Sequence, residues 1–279
     1  MTALFLRRTS TRSFAPRRTK RWPRWAATAT LVGCLAGPVG ADDPLQTDRP
    51  DVAETSTVVG AGRFQIETSV LFERTRRRNG RERLVATPTL FRLGVSSRWE
   101  ARIETDGYSR LRSDFAGADV RTAGISPIEI GTKYHFADER GPRPSLAWLL
   151  HVGVPSGSGG FRAEEFDLTT KILADWELAP RQSLGLNVGL ALPVDDSGSR
   201  FLQGLYAVAL GHALDSRLRV YVELSGQLPA EAGGSAATLL DGGAAYLLSA
   251  DVQIDFAIGT GLGGPLPDFF WTVGWSRRY

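Results

Sequence analysis

Between Ser97 and Asp106 the chain sorts its residues by parity: Trp99, Ala101 and Ile103 fall in one row, Arg98, Glu100, Arg102, Glu104 and Asp106 in the other. A repeat of two belongs to a strand whose faces meet different surroundings, since helical spacing would mix charge into both rows. The split recurs at residues 64–73, where Phe64, Ile66, Val70 and Phe72 oppose Gln65, Glu67, Ser69 and Glu73. It returns with Leu218, Val220, Val222 and Leu224 against Arg217, Arg219, Tyr221 and Glu223, and with Val252, Ile254, Phe256 and Ile258 against Asp251, Gln253 and Asp255. Alternation, punctuated by Gly, Pro, Asp and Asn clusters, predicts twelve strands at 63–75, 82–93, 97–107, 125–136, 145–154, 166–177, 183–192, 201–211, 216–226, 238–247, 250–259 and 269–279.

Residues 1–41 differ in kind. Eight basic side chains, from Arg7 to Arg24, precede a small-residue apolar run at 26–40 with no acid among them, the pattern of a secretory signal peptide. Val39-Gly40-Ala41 offers a cleavage site that leaves Asp42 first; Leu31-Val32-Gly33-Cys34 offers the alternative of a lipoprotein box with Cys34 acylated. Removing the eight leader bases from 33 Lys plus Arg leaves 25 against 30 acids, so the mature chain is mildly acidic. That balance carries no basic stripe and excludes nucleic acid as a partner. Cys34 is the one cysteine, so a mature chain cut after Ala41 has neither disulfide nor thiol chemistry.

No run of eighteen apolar residues follows the leader, which disfavours a helical span. The expected connections are short on one side (Gly94-Val95-Ser96, His212 to Asp215, Leu248-Ser249) and mostly longer on the other (Tyr108 to Gly124, Pro155 to Glu165, Thr260 to Asp268). Arg76 to Arg81, with Asn79-Gly80, is the short exception among the latter. A secretory leader, an even strand number, strands of about ten residues and this asymmetry predict an all-β fold. It is a membrane-spanning, antiparallel up-and-down β-barrel of about twelve strands in the bacterial outer membrane. Closure also removes the open edges of a large sheet. A soluble sandwich shares the alternation but not the other features.

Energetics then chooses the faces, because each Arg or Lys turned to lipid near the midplane costs about 2–4 kcal/mol. The charged row should line the lumen, giving as constriction candidates Glu67, Arg98, Glu100, Arg102, Glu104, Glu129, Lys133, His151, Arg217, Arg219, Glu223, Asp251 and Asp255. Trp99, Tyr134, Trp148, Trp176, Trp271 and Trp275 take the outward parity, as interfacial aromatics do. The ending Phe269-Phe270-Trp271-Thr272-Val273-Gly274-Trp275-Ser276-Arg277-Arg278-Tyr279 resembles the closing strand that outer-membrane proteins present to their assembly machinery. Lipid, that machinery and a small-molecule solute are the expected partners of a monomer.

The segment Gln46-Thr47-Asp48-Arg49-Pro50-Asp51, followed by Glu54, Gly62 and Phe64-Gln65-Ile66-Glu67, resembles the opening of the family named for the MetA pathway of phenol degradation. Gly131-Thr132-Lys133-Tyr134, Val154-Pro155-Ser156-Gly157 and Asp241-Gly242-Gly243 extend the likeness over residues 46–279. The resemblance implies a transporter-like outer-membrane barrel handling small, aromatic or hydrophobic compounds, and it names no ligand residues. Residues 42–61 are then an N-terminal periplasmic segment and 62–279 the barrel. The Thr47, Asp48, Arg49, Pro50, Asp51 motif should lie at the periplasmic mouth or tuck into the lumen, as a structural latch or as a gate.

Three scattered histidines, with no H-E-x-x-H and no EF-hand loop, predict no metal, and no cofactor is implied. His151 with a serine and Asp167 could be drawn as a hydrolase, but Gly157-Ser158-Gly159-Gly160 lacks the strand-to-helix context of a nucleophile elbow. The expectation is therefore a passive channel and not an enzyme. A filled, structural or surface-interacting barrel and an outer-membrane hydrolase remain as alternatives.

Overall fold

The computed structural model describes residues 44–77, 80–115, 118–195 and 198–279; the expected leader with Cys34, and Asn79 of the first hairpin, lie outside them. Among the described residues the extended segments are β1 (Phe64–Arg77), β2 (Gly80–Ala86), β3 (Thr89–Gly94), β4 (Trp99–Thr105), β5 (Tyr108–Phe115), β6 (Ala118–Ile125), β7 (Ile128–Ala137) and β8 (Ser145–Gly153). They continue with β9 (Asp167–Ala179), β10 (Gln182–Ala191), β11 (Gln203–Ala213), β12 (Leu218–Leu228), β13 (Ala237–Ser249), β14 (Val252–Gly263) and β15 (Phe269–Arg278).

These fifteen segments make twelve barrel strands, because β2–β3, β4–β5 and β6–β7 are each a single strand broken by a kink. The breaks fall at Thr87-Pro88, Asp106-Gly107 and Ser126-Pro127. Proline gives no N–H to a ladder. Gly107 sits at φ 62°, and a Cβ there would lie 2.3 Å from the Thr87 carbonyl oxygen, so only glycine fits without displacement. The three kinks are neighbours: the Thr87 N–H donates to the Asp106 carbonyl at 3.0 Å and the Ser126 N–H to the Gly107 carbonyl at 2.8 Å.

The stretch 108–124, expected as a loop, is instead the hairpin of β5 and β6. Its strands carry Arg110, Arg112, Asp114, Asp119 and Arg121 among exposed neighbours, so the apolar–polar contrast that marks a half-buried strand is missing there. All pairings are antiparallel, and β15 closes on β1 from Gln65↔Arg278 to Arg74↔Phe269.

Burial is inverted relative to a soluble protein. On β4, Glu100 and Arg102 are 0% and 1% exposed, while Trp99 and Ile103 are each 47% exposed. The same holds around the wall, with Val70, Leu93, Ile130, Val222, Ile258 and Val273 facing out and Gln65, Glu67, Lys133, Asn187 and Thr272 facing in. A continuous apolar belt of this extent has no place in water and matches a hydrocarbon layer.

Candidate functional site: a lumen closed by its own N-terminal segment

The polar interior is occupied by residues 44–62. The Leu45 N–H donates to the carbonyl of Ala250 in the β13–β14 turn at 2.8 Å, fixing the segment at the short-turn mouth. From there it rises to Val52 and Ala53, whose N–H groups donate to the two Glu223 carboxylate oxygens at 3.0 and 2.7 Å. It descends through Ser56, whose hydroxyl meets that of Ser145 at 2.7 Å, and Val59, whose N–H donates to Glu100 at 2.8 Å. Gly62 then donates to Gly94 at 2.8 Å and the chain enters β1. Asn187 grips the apex from both sides, accepting the Glu54 N–H and donating to its carbonyl.

Four cations and four carboxylates join this plug to the wall. Asp48 accepts from Lys133 at 2.8 Å and from Arg102 at 2.6 Å, with Arg92 at 3.5 Å. Glu54 accepts from Arg102 and Lys171, both at 2.9 Å. Wall residues complete the set: Glu67 takes Arg92 at 2.9 Å, and Glu100 takes Arg92 at 2.9 Å and Arg102 at 3.0 Å. Apart from this set, Arg49 reaches Asp255 at 3.2 Å and Thr272 at 3.0 Å. Charge-assisted bonds of this kind are individually strong, and their buried charges balance as a group.

Burial alone would raise the carboxyl of Asp48, but Arg92, Lys133 and Arg102 together hold it well below the usual carboxylate range. Glu54 is likewise opposed by burial and brought to about 2 by Lys171 and Arg102. Asp51 behaves in the opposite way: burial, with Asp241 beside it, pushes it up to about 7 against the weaker pull of Arg219.

Of the expected lumen residues, Glu67, Glu100, Arg102, Glu104, Glu129, Lys133, His151, Glu223 and Asp255 are buried inside the barrel. Arg219 is half-buried near the mouth, 3.5 Å from Gln46 and 3.4 Å from Gln253. Arg98, Arg217 and Asp251 do not line a constriction; they occupy the short turns. Arg98 pairs with Asp138 at 2.8 Å and Asp251 with Arg278 at 2.8 Å, both at the rim. The alternation runs smoothly through these tight turns, so each expected strand began one or two residues early.

The TDRPD motif lies in the lumen, with Thr47, Asp48, Arg49 and Pro50 buried and Asp51 partly so. Arg92, 0% exposed and central to the network, was not apparent from the sequence because the inward residues just before it, Leu84, Ala86 and Leu90, are apolar. His151 lies against Gly131, where a Cβ would come within 1.9 Å of the ring. Its Nδ1 is 3.5 Å from Glu104 and 3.7 Å from Glu129. No hydroxyl is hydrogen-bonded to it among the described residues, so the drawn Ser–His pair is not assembled.

Above the apex, on the long-loop side, a small space lies between Val52 of the plug and Leu266 of the β14–β15 loop. Leu205, Ala207 and Leu239 give it apolar walls, and Lys171, Asn187 and Gln227 place polar groups at its edge.

Closed antiparallel strands, an apolar exterior and a polar, plugged interior define a membrane β-barrel. The chain belongs to the family described as "Putative MetA-pathway of phenol degradation", whose profile matches residues 47–277. No curated protein matches the sequence. Among solved structures, an outer membrane channel from Pseudomonas putida F1 is similar with a TM-score of 0.61 at 11% identity, over 84% of this chain and 100% of that one. The β-domain of the Bordetella autotransporter Brka is similar with a TM-score of 0.53 at 12% identity, over 77% and 99% of the two chains. At these identities the likeness is one of fold.

Proposed function

We propose that this chain is a passive outer-membrane channel for small, partly apolar molecules, gated by displacement of residues 44–62. The observation that carries this reading is the pairing of an apolar space beside Val52 with a closure beneath it made of non-covalent contacts, many of them polar. A solute that enters the space meets Val52 and Leu266, with Asn187 and Gln227 in reach of a hydroxyl or carbonyl. Its gradient drives passage once the plug yields, and no cofactor takes part. The family's association with phenol degradation and the similar fold of an outer membrane channel support this reading. In this orientation the short turns face the periplasm and the longer loops the outside.

A second reading, a structural barrel with a permanently filled lumen, draws on the depth of the ion network, whose Arg92, Arg102 and Lys133 are 0–1% exposed. Planar-bilayer conductance and phenol uptake into proteoliposomes separate the two. A channel gives discrete openings and uptake that Val52→Trp reduces several-fold by filling the space. Silent bilayers and no uptake at any voltage or pH favour the structural barrel.

A further inference from the structure

The outward face of the β1, β2, β5 and β6 extension carries an arrangement that a fold does not build for its own stability. Arg74 is paired with Arg83, Arg83 with Arg112, and Arg112 with Arg121, so four arginines stand directly opposite one another across four adjacent strands. Directly opposed side chains on one face have Cβ atoms about 4.5–5.5 Å apart, and like charges there are destabilising. The next row towards the strand tips is Arg76, Arg81, Asp114 and Asp119, and the row below is Phe72, Val85, Arg110 and Ala123.

Seven arginines therefore share this face with two aspartates. Asp119 accepts from Arg112 at 2.9 Å and from Arg121 at 3.0 Å, and Asp114 lies 3.6 Å from Arg81. The Arg74 guanidinium lies 5.7 Å from the centre of the Phe269 ring, and its Nε is buried without a hydrogen-bond partner. Arg83 and Arg110 are exposed and make no side-chain ion pair or hydrogen bond among the described residues. The face carries a surplus of cationic donors.

Its height on the barrel says which anion it meets. The lipid-facing row of β1 runs from Phe64 to Phe72 and is followed at once by Arg74. Eight residue steps at about 3.3 Å, tilted by roughly 40°, rise about 20 Å, close to the height of the apolar band of such barrels. Phe269 and Trp271, adjacent to Arg74 and Phe72 on β15, mark the aromatic edge of that band. The arginine row thus emerges at the headgroup level, at the end opposite the chain termini and short turns.

We propose that Arg74, Arg83, Arg110, Arg112 and Arg121 form a binding surface for the phosphorylated headgroup of an outer-leaflet glycolipid. Guanidinium forks suit phosphate oxygens bidentately, and the Val85 and Phe72 side chains below them offer contact to acyl chains. The inference rests on the membrane orientation given above and not on channel activity.

The test uses the whole mature barrel in detergent micelles, with bis-phosphorylated lipid A as the probe and retained lipid read by native mass spectrometry. Wild type should retain lipid A, and the triple variant R83Q/R112Q/R121Q should lose at least tenfold in apparent affinity while R98Q/R217Q, at the other rim, binds as wild type does. Fully dephosphorylated lipid A should bind weakly to all, and millimolar inorganic phosphate should not displace the lipid. Unchanged lipid A binding by the triple variant overturns the proposal, as does equal binding of the dephosphorylated lipid. Displacement by inorganic phosphate overturns it in favour of a free-anion site. Conductance recorded on the same triple variant should remain that of wild type, so loss of the channel reading leaves this test intact.

Discussion

Arg102 shows how the lumen is held. Its guanidinium serves Asp48 and Glu54 of the plug and Glu100 of its own strand, all within 3.0 Å and out of solvent. Replacing it with methionine leaves the buried network one cation short, since Asp48, Glu54 and Glu100 keep only Lys133, Lys171 and Arg92, and breaking a buried pair costs about 3–5 kcal/mol. Arg102→Met should therefore lower the unfolding free energy of the detergent-solubilised barrel by that amount, read from denaturant titration. Arg98→Met, which breaks an exposed pair with Asp138, should unfold as wild type does. Arg102 was legible from parity, as was Glu100, because Trp99, Ala101 and Ile103 set them off on both sides. Arg92 was not, because the apolar inward neighbours Leu84, Ala86 and Leu90 give it no contrast, and its role depends on the plug lying across it.

The plug has its own pH response. Asp51, raised from 3.8 to about 7, favours the docked segment fully below its ordinary value, and that contribution is gone once the pH has risen through about 7. Asp48 and Glu54 act in the opposite sense: their contribution is present above the ordinary carboxylate range and is lost only on acidification below it. Between pH 5 and 8, Asp51 is therefore the plug acid that changes. Conductance should rise across that interval in wild type, and Asp51→Asn should weaken the dependence; a profile unchanged by the substitution would show that Asp51 does not control docking. The sequence placed this segment before β1 and marked its polar motif, yet left mouth and lumen open. The choice rests on the partners Asn187, Glu223 and Lys171, more than a hundred residues away. The β5–β6 hairpin was illegible for a related reason: beyond the lipid both faces of a strand are wet, and period two loses its meaning.

The barrel as a whole was the most legible feature, since inward charge and outward hydrocarbon repeat on strand after strand and β15 returns to β1. The kinks at Gly107 and Pro127 read as the end of one strand and the start of the next, although each strand continues past its kink, whereas the expected strand 82–93 runs through the kink at Pro88. What remains is whether the plug moves as one piece within this rigid wall. The hydroxyls of Ser56 on the plug and Ser145 on β8, 2.7 Å apart, allow a direct answer. Cys34 is the one cysteine of the sequence, so Ser56→Cys with Ser145→Cys in a Cys34→Ser background gives a single bridge. In planar bilayers the oxidised double variant should show no solute-permeable openings, and reduction should restore them to the wild-type level. Equal conductance in the oxidised and reduced states, with the bridge verified by mass, would contradict a channel gated by its N-terminal segment.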